Sequence, residues 1–391
     1  MIITQRSHSF RKTFFPETPP EVWSDWRWQL RNRIRDLSGL ERVFHLSEDE
    51  RKAVSRNEGR LPLGLTPYYA SLMDPQDADD PLRRTKIPTM AEFTHAPGEL
   101  RDPLGEEDHS PVPGLVHTYP DKVLFLVTDF CATYCRYCTR ARMVGAGEYL
   151  PDRGIWEKAL DYIAQHKEIR DVLLSGGDPL ILSEDRLEWL LSRLRQIPHV
   201  EILRIGTKVP AVLPQRVTHA LTEMLRKYHP LYMSIHFVHP RELTDEVGEA
   251  CGLLADAGIP LGGQMVLLKG INDDTTTMRA LVRGQLRIRV KPYYLHQCDA
   301  ILGSSHFRTQ VKRGVELIRD LHGHTTGYAV PQYMIDAPGG GGKVPISPDY
   351  IVGRKDDDLL LRNYRGQVYR YRDDGGQQAA KQIHDISRTI S

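Results

Sequence analysis

Three cysteines at a short, fixed spacing constrain this chain more than any other feature. Cys131, Cys135 and Cys138 form a CxxxCxxC motif directly after an apolar, strand-like run. Thiolates are soft ligands that suit iron–sulfur clusters and zinc. A [4Fe–4S] cluster usually takes four cysteines, so three local cysteines leave one iron open to a small molecule. A zinc site or buried thiols are the alternatives, but structural zinc usually needs a fourth local ligand, and Cys251 and Cys298 form no CxxC pair.

The overall composition excludes several classes of protein. At 391 residues and 40% hydrophobic content, the chain can bury a large core. The net charge of +1 gives no electrostatic reason to expect binding to nucleic acid or to an anionic membrane. No stretch approaches the roughly 18 apolar residues of a membrane span, and the N-terminus lacks the apolar core of a signal peptide. Five cysteines, three of them in one motif, argue against a disulfide scaffold and predict a reducing, cytoplasmic location.

Strand-like and helical segments alternate between about residues 116 and 335. The predicted strands are 122–128, 171–175, 201–206, 230–236, 262–268 and 287–294. The predicted helices are 155–166, 184–196, 215–228, 241–257 and 275–285. This alternation is typical of βα units around a parallel sheet, and six units are fewer than the eight of a closed barrel. We therefore expect an α/β fold, an open (β/α)6 partial barrel whose site lies at the C-terminal ends of the strands.

Two further segments flank the predicted barrel of residues 116–335. Residues 1–115 are polar and predict a helical, loop-rich N-terminal extension. Its tryptophans at 23, 26 and 28 could form a contact surface, but large aromatic side chains are more often buried, so we expect them to pack against the main domain. Residues 336–391 predict a short C-terminal segment with a strand-like piece at 366–372.

A run of four glycines followed by Lys343 is the second strong motif, in DAPGGGGK at 336–343. Consecutive glycines let the backbone approach a ligand closely and present N–H groups to an anion. A phosphate-binding P-loop is excluded because Ala337 stands where the first glycine is required and Val344 where Ser or Thr is required. Two interpretations stay open, a lysine that holds pyridoxal phosphate as a Schiff base and a flexible surface loop.

Together these motifs resemble those of the lysine 2,3-aminomutase family, whose members are radical SAM enzymes that also use pyridoxal phosphate. The resemblance extends from about residue 20 to about residue 365. Besides the cysteine motif it includes SPVPGLVHTYPD (110–121), LLSGGDPL (173–180), RVKPYYLHQCD (289–299), GHTTGYAVPQY (323–333) and DAPGGGGK (336–343). Such a combination is far more specific than any single motif.

The resemblance implies three cofactors and the residues that hold them. Cys131, Cys135 and Cys138 would ligate a [4Fe–4S] cluster, whose open iron binds S-adenosyl-L-methionine and cleaves it reductively. Lys343 would be the catalytic lysine that carries pyridoxal 5′-phosphate, with Tyr119 beside it. The implied contacts to S-adenosylmethionine are Ser175, Gly176, Gly177, Asp178, His236 and Gln264. From the residues alone, Gly-Gly-Asp is also typical of a tight turn, and His236 of a satisfied core histidine.

The resemblance also implies how a substrate would be recognised. Arg140 would pair with the substrate α-carboxylate, which a guanidinium can bind with two hydrogen bonds. Asp299 and Asp336 would hold the distal ammonium group of lysine. Two carboxylates facing one pocket are unfavourable unless a cation lies between them, so this pair predicts a cationic amino acid.

Three positions depart from the family pattern. Thr118 stands where the family often has an arginine near the cofactor phosphate, so one charged phosphate partner is lost or replaced. His296 stands where lysine enzymes commonly have tyrosine, close to the distal end of the substrate. Asp274 stands where longer relatives supply a cysteine to zinc, and their C-terminal cysteine cluster is absent, so we expect no zinc.

The sequence thus predicts an isomerase, an L-lysine 2,3-aminomutase that interconverts L-α-lysine and β-lysine by a radical 1,2-amino shift. An arginine 2,3-aminomutase that uses the same acidic pocket for a guanidinium is the alternative, and a non-catalytic metal-binding module is the rival from another class. The expected partners are a small cationic amino acid and an electron donor such as flavodoxin or ferredoxin. We also expect a homo-oligomer, with no nucleic acid or membrane as partner.

Overall fold

A nine-stranded sheet forms the centre of the protein, and its strands follow chain order from β1 to β9. The computed structural model describes residues 2–56, 61–145, 147 and 151–373. The strands are β1 (Leu115–Tyr119), β2 (Lys122–Thr128), β3 (Asp171–Gly176), β4 (Ile202–Thr207), β5 (Leu231–His236), β6 (Leu261–Leu267), β7 (Lys291–Gln297), β8 (Gln332–Ala337) and β9 (Gly342–Ile346). Strands β2 to β8 run parallel, whereas β1 and β9 pair antiparallel at the two edges.

Short helices precede the sheet, and part of this region packs against segments that follow the strands, as the hydrogen bonds of Thr66 to Val212 and of Tyr69 to Glu242 show. The helices are α1 (Gln5–Phe14), α2 (Pro20–Trp23), α3 (Trp26–Arg31), α4 (Leu37–Glu41), α5 (Glu48–Arg56), α6 (Pro67–Ala70) and α7 (Pro81–Arg84). Trp23 is fully buried and packs with Phe10, Phe15 and Trp28 in one aromatic cluster. Trp23 and Trp28 therefore pack with each other inside the N-terminal extension, whereas the half-buried Trp26 contacts the barrel, because the Arg216 guanidinium lies 4.6 Å from the centre of its ring.

Helices between the strands cover the outer face of the sheet. They are α8 (Arg153–Gln165), α9 (Glu184–Arg195), α10 (Val209–Val212), α11 (His219–Arg226), α12 (Asp245–Asp256), α13 (Thr275–Arg287) and α14 (Val311–Leu321). Helix α9 shows why such segments are helical, because Leu187, Leu190, Leu191 and Leu194 form one buried stripe at helical spacing.

The six predicted parallel strands and the partial barrel are confirmed. The last predicted strand begins later than expected, at Lys291, because α13 continues to Arg287 and Arg289 adopts a left-handed backbone (φ 65°) that turns the chain. The sequence did not predict α14, nor that β8 adds a seventh parallel strand. The boundaries proposed at 115 and 335 stay predictions, and the central sheet continues beyond 335 through β9.

The alternation of side chains along the strands creates the interior of the barrel. In β4, Leu203 and Ile205 are buried against the helices, whereas Ile202 and Arg204 face the half-buried interior. Successive strand residues point to opposite faces, so every parallel strand contributes alternate side chains to this interior. The cavities described below lie there.

A separate antiparallel sheet follows the barrel, formed by β10 (Ile351–Lys355), β11 (Asp358–Arg362) and β12 (Val368–Arg372). Its last strand is exposed along its whole length. Among the described ranges, none of the helices combines the length and apolar character that crossing a bilayer requires.

Candidate active site

Two adjoining cavities occupy the barrel interior. The smaller, about 160 Å³, lies at the C-terminal ends of the strands and is lined by the three cysteines of the motif together with Ser175–Asp178 and His236. The larger, about 420 Å³, extends along the strands and is lined by Lys343, Asp336, Tyr119 and Gln264 among others. Arg140 borders both cavities. The structure thus brings the two predicted cofactor regions together around one arginine.

The first turn of the cysteine loop is fixed by the Gly-Gly-Asp segment. Gly177 donates its N–H to Thr128 O at 2.5 Å, and Asp178 donates to Phe130 O at 2.9 Å. A Cβ on Gly176 would lie 2.3 Å from Thr128 O, and the residue has a φ of 113°. Both glycines are therefore required by the close approach of the loop to β3.

The thiols of the motif surround the smaller cavity, but their environments differ. Burial raises the pKa of Cys131, and it raises the pKa of Cys138 to about 11. Burial also raises the pKa of Cys135, but the cations of Lys86 and Lys208 outweigh it and lower the net value. Lys86 Nζ donates to Cys135 Sγ at 2.9 Å. No local sequence pattern identifies Lys86, which lies far from the motif in the chain.

The chemistry of this cavity fits a cluster with an open iron. Within the described ranges, no three His, Cys, Asp or Glu side chains converge on a point that a single metal ion would occupy. The three thiols instead line a cavity with room for a larger group. Soft thiolates on one wall and polar strand ends on the other suit a cluster and a small polar ligand bound to it.

Asp178 makes its hydrogen bonds within the protein. Its carboxylate accepts from Thr207 Oγ1 at 2.6 Å and from the N–H groups of Lys208 and Val209 at 2.7 and 3.0 Å. Burial raises the pKa of Asp178. The side chain therefore joins the ends of β3 and β4, and Asp178 also lines the smaller cavity.

His236 and Gln264 are register partners on β5 and β6, yet they face different cavities. His236 ends β5 at the smaller cavity, and burial lowers its pKa to about 3, so the imidazole is neutral. Gln264 faces the larger cavity.

The glycine run forms the turn of the β8–β9 hairpin. Gly339, Gly340 and Gly342 have positive φ values of 65°, 83° and 77°, which favour glycine. The hairpin register places Lys343 opposite Asp336, and Lys343 Nζ lies 2.7 and 2.9 Å from the two carboxylate oxygens. The N–H of Lys343 also donates to the hydroxyl of Tyr119 at 2.6 Å. The lysine is thus fixed by pairing on a strand and does not lie in a free loop.

The two predicted substrate aspartates lie near each other but ionise differently. Burial raises the pKa of Asp299 to about 6, and Thr139 donates to this carboxylate at 2.7 Å. Burial also raises the pKa of Asp336, but His296 and Lys343 outweigh it and lower the value to about 2. His296 Nδ1 lies 3.3 Å from Asp336 Oδ2, and burial lowers the pKa of this histidine.

Arg140 has a partner that the sequence analysis missed. Glu106 accepts from its Nε at 3.1 Å and from its Nη2 at 2.6 Å, and the same carboxylate accepts from Arg142 at 3.1 Å. Glu106 is 5% exposed, so the ion pairs are shielded from water. Among the described residues, Arg140 Nη1 makes no hydrogen bond, and Arg140 lines both cavities.

Two further cations line the larger cavity and were also missed. Lys122 begins β2 and lies 4.4 Å from the centre of the Tyr119 ring, and Arg204 is paired with Asp171 at 2.8 Å. Side chains alternate between the two faces of a strand, so in the predicted strand 122–128 Lys122 shares a face with Leu124, which lines the interior. This alternation could have identified Lys122.

Asp274 has a structural role in the fold. Its carboxylate caps the N-terminus of α13 by accepting from the N–H of Thr277 at 2.9 Å. A short acidic side chain is well suited to this position.

Known proteins match this chain over most of its length. The L-lysine 2,3-aminomutase of Clostridium subterminale is 50% identical over 92% of this chain and 87% of its own length. That of Fusobacterium nucleatum subsp. nucleatum is 49% identical over 92% and 85%. This chain belongs to the lysine 2,3-aminomutase family. Residues 318–390 match the family model described as lysine-2,3-aminomutase, and residues 125–281 match that of the radical SAM superfamily.

Membership in the lysine 2,3-aminomutase family implies the cofactors expected from the sequence: a [4Fe–4S] cluster, S-adenosylmethionine and pyridoxal phosphate. The family also includes other specificities, because a glutamate 2,3-aminomutase of Clostridioides difficile is 44% identical over 90% of this chain and 84% of its own length. Overall similarity therefore leaves the choice of amino acid to the residues of the site.

Proposed function

We propose that this protein interconverts L-α-lysine and β-lysine by moving the amino group between adjacent carbons. The observation that carries the proposal is the pair of carboxylates, Asp299 and Asp336, close to Lys343. An ammonium group between them relieves their mutual repulsion, whereas the carboxylate of glutamate would add a third negative charge. This argument supports lysine over glutamate.

The contact between Lys343 and Asp336 supports the same assignment. The Lys343 ammonium is a cation of the type that the distal end of lysine would supply, and Asp336 already binds it at 2.7 Å. Lys343 would hold pyridoxal phosphate through the nitrogen that now contacts Asp336. The Asp336 carboxylate would then be free to accept from the substrate ammonium.

Arg140 is proposed to bind the α-carboxylate through its Nη1 edge. Glu106 fixes the opposite edge with two hydrogen bonds and so holds the guanidinium plane in one orientation. A guanidinium held in this way binds a carboxylate in a defined geometry. Arg140 therefore sets one end of the substrate and the two aspartates set the other.

The cofactors are assigned to the two cavities. We assign the cluster to Cys131, Cys135 and Cys138, and pyridoxal phosphate to Lys343 with Tyr119 beside it. When bound, the cluster with S-adenosylmethionine supplies a hydrogen-abstracting radical, and pyridoxal phosphate supplies the conjugated system across which the nitrogen migrates.

The polar walls of the cavities complete this assignment. We assign the contacts to S-adenosylmethionine to Ser175, Gly176, Gly177 and Asp178, with His236 and Gln264 further along the interior. Lys122 is proposed to meet the phosphate in place of the arginine missing at Thr118, because it lines the same cavity as Tyr119.

An arginine 2,3-aminomutase is the second candidate, and His296 is the observation that favours it. Its imidazole already engages one oxygen of Asp336 at 3.3 Å. A guanidinium offers several donors and could reach Asp299 and the remaining oxygen of Asp336 together. The ammonium group of lysine, by contrast, has a single nitrogen, so both carboxylates would have to lie close to that one atom.

The proposed partners follow from the reaction and the surface. A one-electron donor of the flavodoxin or ferredoxin type is needed to reduce the cluster. A homo-oligomer is supported by the exposed apolar side chains Ile351, Val368, Tyr369 and Tyr371 on the β10–β12 sheet. A reducing, cytoplasmic location is supported by the five cysteines, which are all unpaired.

Borohydride trapping tests the assignment of Lys343. Reduction of protein loaded with pyridoxal phosphate should leave a phosphopyridoxyl group on the peptide that contains Lys343, detected by mass spectrometry, and Lys343→Ala should lack it. The anaerobically reconstituted enzyme should also form β-lysine from L-lysine. An adduct on another lysine, or no β-amino acid product from wild-type protein with full iron content, contradicts the proposal.

A further inference from the structure

Lys86 is a buried cation whose position no feature of the proposed reaction explains. It is 1% exposed and follows α7 in a turn closed by its own N–H donating to Arg83 O. Its Nζ donates to Cys135 Sγ at 2.9 Å and lies 5.2 Å from the centre of the Tyr69 ring. Burying an ammonium group is unfavourable unless an acceptor compensates for the lost water, and here the acceptor is sulfur.

The nearby carboxylate of Glu242 makes its hydrogen bonds to groups other than Lys86. Glu242 accepts from Lys208 Nζ at 2.6 Å, from the Tyr69 hydroxyl at 2.7 Å and from the N–H of Val238 at 2.6 Å. Within the described part of the chain, no carboxylate accepts a hydrogen bond from Lys86. The positive charge of Lys86 is therefore directed at the thiolate of Cys135.

We propose that Lys86 raises the reduction potential of the cluster, because it holds a buried positive charge against the ligand sulfur of Cys135. Lys86 would thus be a positioning residue that acts on the cluster through Cys135. The inference rests on the proposed function, because it requires the three cysteines to bind the cluster. Reduction adds one electron from an external donor to the 2+ cluster and gives the 1+ cluster, with no bond made or broken. A nearby cation stabilises the added negative charge, and hydrogen bonds to sulfur and local charge both set such potentials.

The test is a redox titration of the reconstituted cluster, followed by electron paramagnetic resonance in the absence of substrate. Lys86→Met removes both the charge and the donor at similar length, and Lys86→Gln removes the charge but keeps an N–H donor. Lys227→Met is the matched control, because it removes one positive charge from an exposed helix end. We expect both Lys86 variants to favour the oxidised cluster about tenfold, a fall of about 59 mV for a one-electron couple, and Lys227→Met to match the wild type.

Each outcome supports or overturns the inference. Lys86→Met with full iron content and the wild-type potential overturns it, as does Lys86→Gln with the wild-type potential, since the charge would then have no effect. Loss of cluster binding in both variants also overturns it, because Lys86 would then be needed to build the site. Wild-type protein that binds no cluster contradicts the proposed function, which keeps the two failures distinct.

Discussion

Lys343 and Asp336 face each other across the β8–β9 hairpin, with Nζ 2.7 and 2.9 Å from the two carboxylate oxygens. Their pairing follows from strand register, which a tight glycine turn fixes. The same hairpin therefore supplies both the proposed cofactor lysine and one of the proposed substrate carboxylates. The proposed cofactor site and the proposed substrate site therefore share one short element.

Asp336→Asn should weaken recognition of lysine while leaving the cofactor lysine in place. Truncating one partner of a buried charge pair costs about 2–5 kcal/mol, so kcat/KM for L-lysine should fall about 30-fold or more. Steady-state kinetics under anaerobic conditions measure this, and borohydride trapping confirms that Lys343 still reacts. Asp256→Asn, which removes an exposed aspartate paired with Arg289, serves as control and should be neutral. Unchanged kinetics for Asp336→Asn would refute its role.

The kcat/KM for lysine should depend on pH through Asp299. Its pKa is raised to about 6, chiefly by burial, so the carboxyl is neutral below that pH and ionised above it. A neutral Asp299 attracts the substrate ammonium less, so kcat/KM should decline as the pH falls through about 6. A pH profile of kcat/KM reports groups of the free enzyme. Asp299→Asn should lose this inflection, and a variant that retained it would assign the titration to another group.

Glu106→Gln should raise the KM for lysine about tenfold or more, because Arg140 loses the anion that orients it. Hydrogen bonds to charged groups contribute about 1.5–3 kcal/mol, and the neutral amide also leaves Arg140 and Arg142 to repel each other. The melting temperature should fall as well. Glu107→Gln is the matched control, since this neighbour binds Arg142 from an exposed position. A lower KM for Glu106→Gln would mean instead that Glu106 competes with the substrate for Arg140.

Lys122→Met should weaken binding of pyridoxal phosphate, because a cation near the phosphate is lost. Because the lost pair between Lys122 and the phosphate would lie in a partly buried site, we expect the Kd for pyridoxal phosphate to rise about tenfold. This corresponds to about 1.4 kcal/mol of binding free energy. Titration of the aldehyde absorbance with apo-protein measures it. Lys158→Met, on the exposed face of α8, should leave the Kd unchanged. Equal affinities for the two variants would show that other groups hold the phosphate.

The sequence predicted the parts of the site that short motifs encode. The cysteine loop, the strand ends and Lys343 each carry a local pattern of spacing, alternation or glycine content. The contacts that orient them carry no such pattern: Lys86 contacts Cys135 from 49 residues away, and Glu106 contacts Arg140 from 34 residues away. Each is an ordinary charged residue in a polar segment, and tertiary packing alone makes it a partner.

The most direct test of the central claim is a competition assay. Anaerobic enzyme reconstituted with iron, sulfide, S-adenosylmethionine, pyridoxal phosphate and a reductant would receive equal amounts of L-lysine, L-arginine and L-glutamate, with the products identified by NMR. We predict β-lysine as the main product, because Asp299 and Asp336 are the proposed partners of the distal ammonium group. Either β-arginine or β-glutamate as the main product would contradict the proposed substrate. A predominance of β-arginine would mean that His296 adapts the site to a guanidinium.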